Sequence, residues 1–176
     1  MKKLNNAGFS LIEVIVIAAI MITFTGISVG SATFVYRARS LEAAKIVDSM
    51  ISQSKVNALS NRKNRLELSY DNDRKCYECK ISRGHYNDEG KWVSEIEYSN
   101  AKASKIGNER LDVIVGGVSL KDGGKLTMSF NMDTGAVKEF KVGDTDKLAD
   151  VMTINLNSYT NHSITLYKDT GEHTFE

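Results

Sequence analysis

Proline is absent from the 176 residues, and cysteine occurs only twice, as Cys76 and Cys79. The lack of proline fits an AT-rich genome as well as any structural demand, so we infer no function from it. Two cysteines exclude a dense disulfide framework and allow one short bridge at most. An excess of charge is also missing, since 23 lysines and arginines stand against 22 aspartates and glutamates. This balance argues against a protein that binds nucleic acid by neutralising many phosphates.

The familiar patterns of catalytic and metal sites are missing too. His85, His162 and His173 are not at metal-ligand spacings, and no nucleophile-elbow or phosphate-loop pattern occurs. Asp-Thr-Gly triplets at 133–135 and 169–171 resemble the paired loops of aspartic proteases, but this triplet also forms a good hairpin turn by itself. We therefore predict turns there, with no catalytic residue, no metal and no cofactor.

The two cysteines have the C-x-x-C spacing of redox and zinc sites. No second cysteine pair and no histidine set accompanies them, so the spacing alone is a weak signal. In a regular strand Cys76 and Cys79 would face opposite sides, and a bridge between them would need a turn. A local disulfide and two free thiols both stay open, and we treat the pair as a candidate disulfide.

What the sequence does contain is a long apolar run from position 9 to 36, with Glu13 as its single charged side chain. The run exceeds the roughly 20 residues that a helix needs to cross a bilayer, and it is too long for the apolar part of a secretory signal. We predict a membrane-spanning helix that stays in the mature protein. Lys2 and Lys3 precede it and favour a cytoplasmic N-terminus.

Glu13 requires a partner, because a carboxylate in a membrane helix costs up to about 2.5–3.5 kcal/mol at mid-bilayer. Cleavage between Gly8 and Phe9 would create an α-amine four residues before Glu13, a spacing at which helical side chains approach. Unit charges about 4 Å apart attract by about 4 kcal/mol at an effective dielectric near 20, before desolvation. We predict that Glu13 pairs with the Phe9 amine, within one chain or between neighbouring chains.

The segment Gly8-Phe9-Ser10-Leu11-Ile12-Glu13 resembles the processing motif of type IV prepilins, a glycine followed by Phe-Ser/Thr-Leu-x-Glu. The resemblance implies that a membrane prepilin peptidase removes residues 1–8 after Gly8 and that Phe9 is N-methylated. It also implies that Glu13 sets subunit register in a filament. Residues 9–36 would then be the transmembrane assembly helix.

Two features are predicted within and beyond this helix. Gly26 and Gly30 form a G-x-x-x-G pair, a common pattern that allows close helix approach, and we treat them as candidate packing residues. Beyond position 36, small and apolar residues recur at steps of three and four, which predicts that residues 37–62 form an amphipathic continuation of the helix. The predicted buried face comprises Ser40, Ala43, Ala44, Val47, Met50, Ile51, Ser54 and Ala58. The polar residues from Asn61 to Asn64 form a polar stop, at which the helix is predicted to end.

The rest of the chain, 63–176, alternates short apolar runs with Gly and Asp turns, which predicts an exported, antiparallel β-rich head. The predicted strands are 65–70, 76–83, 92–98, 111–118, 125–131, 137–142, 152–156, 163–167 and 172–175. Hairpin turns are predicted at 88–90, 122–124, 133–135 and 169–171. The expected fold is α+β, a long N-terminal helix packed on an antiparallel β-sheet head, as in type IV pilins.

The head is similar in layout to minor pilins and pseudopilins of the GspH/FimT type, through its small-residue helix and its Met128–Gly135 segment. The resemblance implies a non-enzymatic structural subunit of a type IV pilus or a type II secretion-like filament. Its partners would be prepilin peptidase, other pilin subunits and an assembly platform in the membrane, with no specific nucleic-acid site. The chain would sit in the inner membrane with its head exported and then join a cell-surface filament. The alternatives are a membrane-anchored binding module or adhesin that never polymerises and, third, a tethered enzyme.

Overall fold

The computed structural model describes residues 10–89, 91–97 and 104–176, with backbone alone at 26–33, 95–97 and 104–105. The chain divides into two compact units, Met1–Tyr36 and Arg37–Glu176. The boundary between them falls within the long α-helix α1, which runs from Leu11 to Leu59. The predicted leader, 1–8, lies outside the described residues.

The end of α1 is set by a left-handed residue. Asn61 has φ 59°, and its N–H donates to the carbonyl of Ala58 at 2.9 Å. Arg62 N–H donates to the carbonyl of Asn57 at 3.2 Å, which completes a Schellman motif. Asparagine tolerates this conformation better than most residues, so the predicted polar stop acts as a helix cap.

In the second unit, the C-terminal part of α1 buries one face against the sheets. All eight residues of the predicted face are buried there: Ser40, Ala43, Ala44, Val47, Met50, Ile51, Ser54 and Ala58. Side chains on this part of α1 also bond to three separate parts of the head. Ser40 Oγ donates to the Thr160 carbonyl at 3.1 Å, Ser52 Oγ lies 3.1 Å from His173 Nε2, and Ser54 Oγ donates to Asn64 Oδ1 at 2.6 Å.

The described residues of the head form two antiparallel sheets. The strands are β1 (Asn64–Asp71), β2 (Cys76–Tyr86), β3 (Trp92–Glu97), β4 (Ser104–Ile106), β5 (Asp112–Val115), β6 (Val118–Ser119), β7 (Lys125–Phe130), β8 (Val137–Val142), β9 (Thr145–Asp146), β10 (Val151–Asn157), β11 (Asn161–Tyr167) and β12 (His173–Phe175). The first sheet has the order β3-β2-β1-β7-β8-β9, with β4 also paired to β2, and the second has the order β12-β11-β10-β5-β6. The predicted α+β class and antiparallel pairing are confirmed, although the head has two sheets where one was predicted.

Three details differ from the predicted strands and turns. The predicted strand 111–118 is interrupted because Gly116 and Gly117 have φ of 56° and 82° and turn the chain back, so that β5 pairs with β6. The predicted hairpin at 122–124 is wrong, because Leu120–Asp122 form a 3-10 turn and the chain passes there from β6 in the second sheet to β7 in the first. The short strands β4 and β9 were not predicted. Position 98 of the predicted third strand lies outside the described residues.

One core joins α1 and both sheets in the second unit. Leu66, Leu126 and Met128 of the first sheet and Ile154 and Leu156 of the second are fully buried in it. Tyr77 links the sheets, because it lies on β2 and its hydroxyl accepts the N–H of Val113 on β5 at 3.0 Å. Burial raises the pKa of the Tyr77 hydroxyl well above its ordinary value.

Candidate functional site

The described N-terminus of α1 is capped by its own side chains. Ser10 Oγ accepts the N–H of Glu13 at 3.3 Å, and the Glu13 carboxylate accepts the N–H of Ser10 at 3.0 Å. This reciprocal arrangement is a capping box, and a carboxylate there also interacts favourably with the helix dipole. The Glu13 carboxylate therefore bonds the residue that directly follows Phe9 in the sequence.

The other residues of the predicted processing and packing sites are less fully described. Gly8 and Phe9 lie outside the described residues. Gly26 and Gly30 lie on α1, but the surroundings of these glycines are likewise outside the described part. The predicted pairing of Glu13 with a Phe9 amine, N-methylation of Phe9 and helix packing at the two glycines all stay predictions.

The first part of α1 is apolar and uncovered. Every side chain from position 10 to 25 is exposed, including Leu11 at 79% and Phe24 at 69%. Contiguous apolar surface of this kind typically marks an interaction site with protein or membrane. Among the residues whose placement is described, no helix is both long enough and apolar enough to cross a membrane. The predicted assembly segment, 9–36, includes positions outside that set.

The cysteines are free thiols. Cys76 and Cys79 are both buried, and no disulfide joins them. Strand β2 runs without a turn through both positions in continuous register with β1, so residues three apart face opposite sides of the sheet. Burial raises the pKa of the Cys79 thiol to about 12. The candidate disulfide is therefore not formed, because β2 lacks the turn that it would need.

A polar cluster lies on the face of the first sheet opposite the core. We call Arg65, Tyr86, Trp92, Glu139 and Lys141 the outer-face cluster. Arg65 Nη2 donates to Glu139 Oε1 at 2.9 Å, the Tyr86 hydroxyl donates to Oε2 at 2.7 Å, and Lys141 Nζ lies 3.1 Å from Oε1. The guanidinium of Arg65 is 5.8 Å from the Trp92 ring centroid, and the Tyr86 and Trp92 rings meet edge to face at 5.2 Å.

Strand register brings these distant residues together. Ser129 of β7 pairs with Glu139 of β8, and the neighbouring Met128 pairs with Leu66 of β1. Arg65 therefore lies beside Ser129 and reaches across this small residue to Glu139. No sequence motif signals the contact, since the two charged residues are 74 positions apart and come from non-adjacent strands.

The charge of Glu139 is stabilised despite burial. Its side chain is only 8% exposed, which by itself disfavours the carboxylate. Hydrogen bonds from Tyr86 and Lys141, and the charges of Arg65 and Lys141, outweigh this burial and hold the pKa of Glu139 below its ordinary value. Burial and the hydrogen bond to Glu139 raise the pKa of Tyr86 to about 12. The buried Nε of Arg65 has no hydrogen-bond partner within the described part of the chain.

A pocket of about 320 Å³ opens beside this cluster, at the end of the first sheet where several strands begin or end. Tyr86 and Trp92 form its aromatic wall, and Lys63, Lys138 and Asp133 carry its charges. The volume is at the small end of the range of roughly 300–1,000 Å³ for ligand pockets. Neither the pocket nor the cluster was predicted from the sequence.

A serine, a histidine and an aspartate also meet, between α1 and β12. His173 Nε2 lies 3.1 Å from Ser52 Oγ and 3.2 Å from Asp48 Oδ1. In a hydrolytic triad the aspartate binds the other ring nitrogen, so that the imidazole can pass a proton from the serine. Here both partners share one nitrogen, and the arrangement ties β12 to the helix.

The two Asp-Thr-Gly triplets form the predicted hairpin turns, and these turns contact each other. Gly171 has φ 62° and lies against the carbonyl of Gly135, so closely that a side chain would not fit. In each turn the threonine hydroxyl accepts a backbone N–H, at 3.2 and 3.1 Å. Asp133 and Asp169 are both exposed. The triplets therefore serve turn geometry and close packing between the two hairpins.

The described residues define an α+β protein in which part of a long N-terminal helix packs on two antiparallel sheets. No protein-family model matches the chain, and no curated protein is significantly similar to it. Among solved structures, the chain is similar to the crystal structure of the type IV minor pilin FimU of Pseudomonas aeruginosa, with 14% identity over 81% of this chain and 92% of that chain. The TM-score is 0.48, a similarity too low to carry a functional argument.

Proposed function

We propose that the chain is a structural subunit of a type IV pilus or a type II secretion-like filament, cut after Gly8 and assembled through the N-terminal part of α1. The observation that carries the proposal is the uncovered apolar segment of α1, residues 11–25, with Glu13 as its single charge. A soluble monomer rarely exposes so much contiguous apolar surface. Bundling these segments with those of other subunits would remove that surface from water.

The position of Glu13 supports a role in subunit register. Its carboxylate bonds the Ser10 N–H, next to the proposed cleavage site. Cleavage would free an α-amine on Phe9 that is mostly protonated at neutral pH, since its reference pKa is about 7.7–8.0. In an apolar bundle that amine is the natural counter-ion for Glu13, in the same subunit or in a neighbour.

The proposal includes the setting of the molecule. A membrane prepilin peptidase would cut the precursor and methylate Phe9, and an assembly platform in the inner membrane would extract the subunits into a cell-surface filament. The head would be exported and would lie on the outside of the filament. Its role would be structural, with no catalysis required.

Processing is tested by intact mass and N-terminal sequencing of the membrane-extracted protein, produced with and without a prepilin peptidase. We expect a peptidase-dependent start at Phe9, with or without one added methyl group. A start at Met1 despite active peptidase would overturn the proposal and favour an anchored binding module or adhesin that does not polymerise.

Assembly is tested with Glu13→Gln, which keeps the size of the side chain and removes its charge. We expect processing to continue and incorporation into sheared filaments to fall tenfold or more, equivalent to at least about 1.4 kcal/mol. Glu42→Gln is the matched control, because Glu42 is an exposed carboxylate on the same helix. Equal incorporation of the two variants would contradict the role proposed for Glu13.

A further inference from the structure

The pocket beside the outer-face cluster is formed where five strand ends meet. Lys63 precedes β1, Tyr86 ends β2, Trp92 begins β3, Asp133 follows β7, and Lys138 lies at the start of β8. Because neighbouring strands are antiparallel, these strand ends all lie at the same end of the sheet. The aromatic residues Tyr86 and Trp92 and the cation Lys138 thus lie on paired strands, whereas Lys63 and Asp133 lie directly beside a strand end or in the adjoining turn.

Tyr86 and Trp92, which form the aromatic wall of the pocket, are held in place by hydrogen bonds to side chains of the sheet. The Tyr86 hydroxyl donates to Glu139 Oε2 at 2.7 Å, and Trp92 Nε1 donates to Ser82 Oγ at 3.2 Å. Gly84 allows the Trp92 ring to lie against β2, since a side chain there would meet the ring and the backbone of Val93. Both N–H and O–H groups are therefore occupied, and what the wall presents to a ligand is ring surface.

The charged side chains of the pocket are accessible to a ligand. Lys63, Lys138 and Asp133 are exposed, and within the described part of the chain neither lysine ammonium forms an ion pair. Asn131 Oδ1 accepts the N–H of Asp133 at 2.9 Å and so fixes the turn that carries this carboxylate. The lining therefore combines two unpaired cations with one anion, and a ligand with a single negative charge would balance it.

We infer that this pocket binds a saccharide residue that carries a carboxylate, such as a hexuronic acid. The C–H face of a sugar ring packs on aromatic surface, because aromatic rings combine apolar area with a negative face. Asp133 accepts hydrogen bonds from sugar hydroxyls, and the two lysines bind the sugar carboxylate. The volume of about 320 Å³ fits one or two sugar rings. The proposed sugar binding involves the head alone and does not depend on assembly of the chain into a filament.

Nucleic acid fits the same surface less well. Aromatic rings also stack on bases, but nucleic-acid grooves follow the backbone with many cations. Here Asp133 lines the pocket and repels phosphate, and the lysine and arginine of the neighbouring cluster are already paired with Glu139. The chain as a whole has a formal net charge of only +1.

The test uses the fluorescence of Trp92, the sole tryptophan of the chain. The full chain is solubilised in a detergent without a sugar headgroup and titrated with glucuronic acid, glucose, inorganic phosphate and a short oligothymidylate. We expect a saturable change with glucuronic acid, a weaker one with glucose, and none with phosphate or oligothymidylate. Saturation-transfer NMR should show contact with the ring protons of the sugar.

Lys63→Ala and Lys138→Ala should each weaken glucuronic acid binding about two- to fivefold, as for an exposed ion pair, and leave glucose binding unchanged. Lys75→Ala is the control, because Lys75 is an exposed lysine at the far end of the β1–β2 pair. No saturable response to glucuronic acid, or one that neither pocket variant changes, would overturn the assignment. Tighter binding of phosphate or oligothymidylate would overturn it in favour of an anion site or a nucleic-acid site.

Discussion

The outer-face cluster allows a direct test of whether burial determines how much an ion pair contributes to the free energy of unfolding. Glu139→Gln keeps the shape of the side chain but leaves the Arg65 guanidinium without its counter-ion. Removing one partner of a fully buried pair costs about 3–5 kcal/mol. Because the Arg65 side chain is 17% exposed and can gain some water, we expect the free energy of unfolding to fall by about 2–3 kcal/mol.

The same sheet face provides a matched control. Lys125 Nζ lies 2.6 Å from Glu67 Oε2, but these side chains are 46% and 24% exposed. Glu67→Gln should therefore cost only about 0–1 kcal/mol, although the distance is shorter. Urea unfolding of the detergent-solubilised chain, followed by Trp92 fluorescence and by circular dichroism, measures both changes. If the two variants lost the same stability, the reasoning from burial would be refuted.

The acid dependence of stability gives a second check on the same residue. The folded pKa of Glu139 is below its ordinary value of 4.5, so its charge contributes stability that is fully present above that pH. This contribution is lost as the pH falls through the lower, folded pKa. Glu139→Gln should therefore flatten the decline of stability below pH 4.5, and an unchanged decline would contradict the assignment of that shift.

Three further predictions concern buried groups of the head. Tyr77→Phe should cost about 1–3 kcal/mol in urea unfolding, because it leaves a backbone N–H of β5 buried and unpaired. Gly171→Ala should lower stability by about 1–3 kcal/mol more than Gly143→Ala, since both glycines have positive φ but only the first lies against a facing carbonyl. Equal losses would contradict that packing. Cys79 should resist alkylation at pH 8 until the head is unfolded, whereupon mass spectrometry should count two labelled thiols, Cys76 included; a disulfide mass deficit would refute the free-thiol state.

The helix could be predicted closely because its signal is local. Small residues at steps of three and four from Ser40 to Ala58 mark the buried face, and an asparagine after the last turn marks the stop. Most strands were also predictable, since glycine and aspartate turns bound them. The double glycine at 116–117 instead falls within the predicted strand 111–118, because apolar residues lie on both sides of it, at 113–115 and at 118.

The partition into two sheets and the outer-face cluster could not be predicted in this way. Both depend on which strands pair and in which register, and packing between segments far apart in the sequence determines that pairing. Arg65 and Glu139 each look like a solvent-exposed charge in its own strand, and only the pairing of β1 and β8 with β7 brings them together. The pocket depends on the same pairing.

The attachment of α1 within the second unit also has a mechanical consequence. Its buried face and its three serine contacts, from Ser40, Ser52 and Ser54, are spread along the helix and reach different parts of the head. Tension applied along the axis of α1 loads these contacts side by side, in shear, so that they share the force and must fail together. A force that lifts the end of the helix away from the sheet would instead break them one after another, and the head should yield to it at a much lower load.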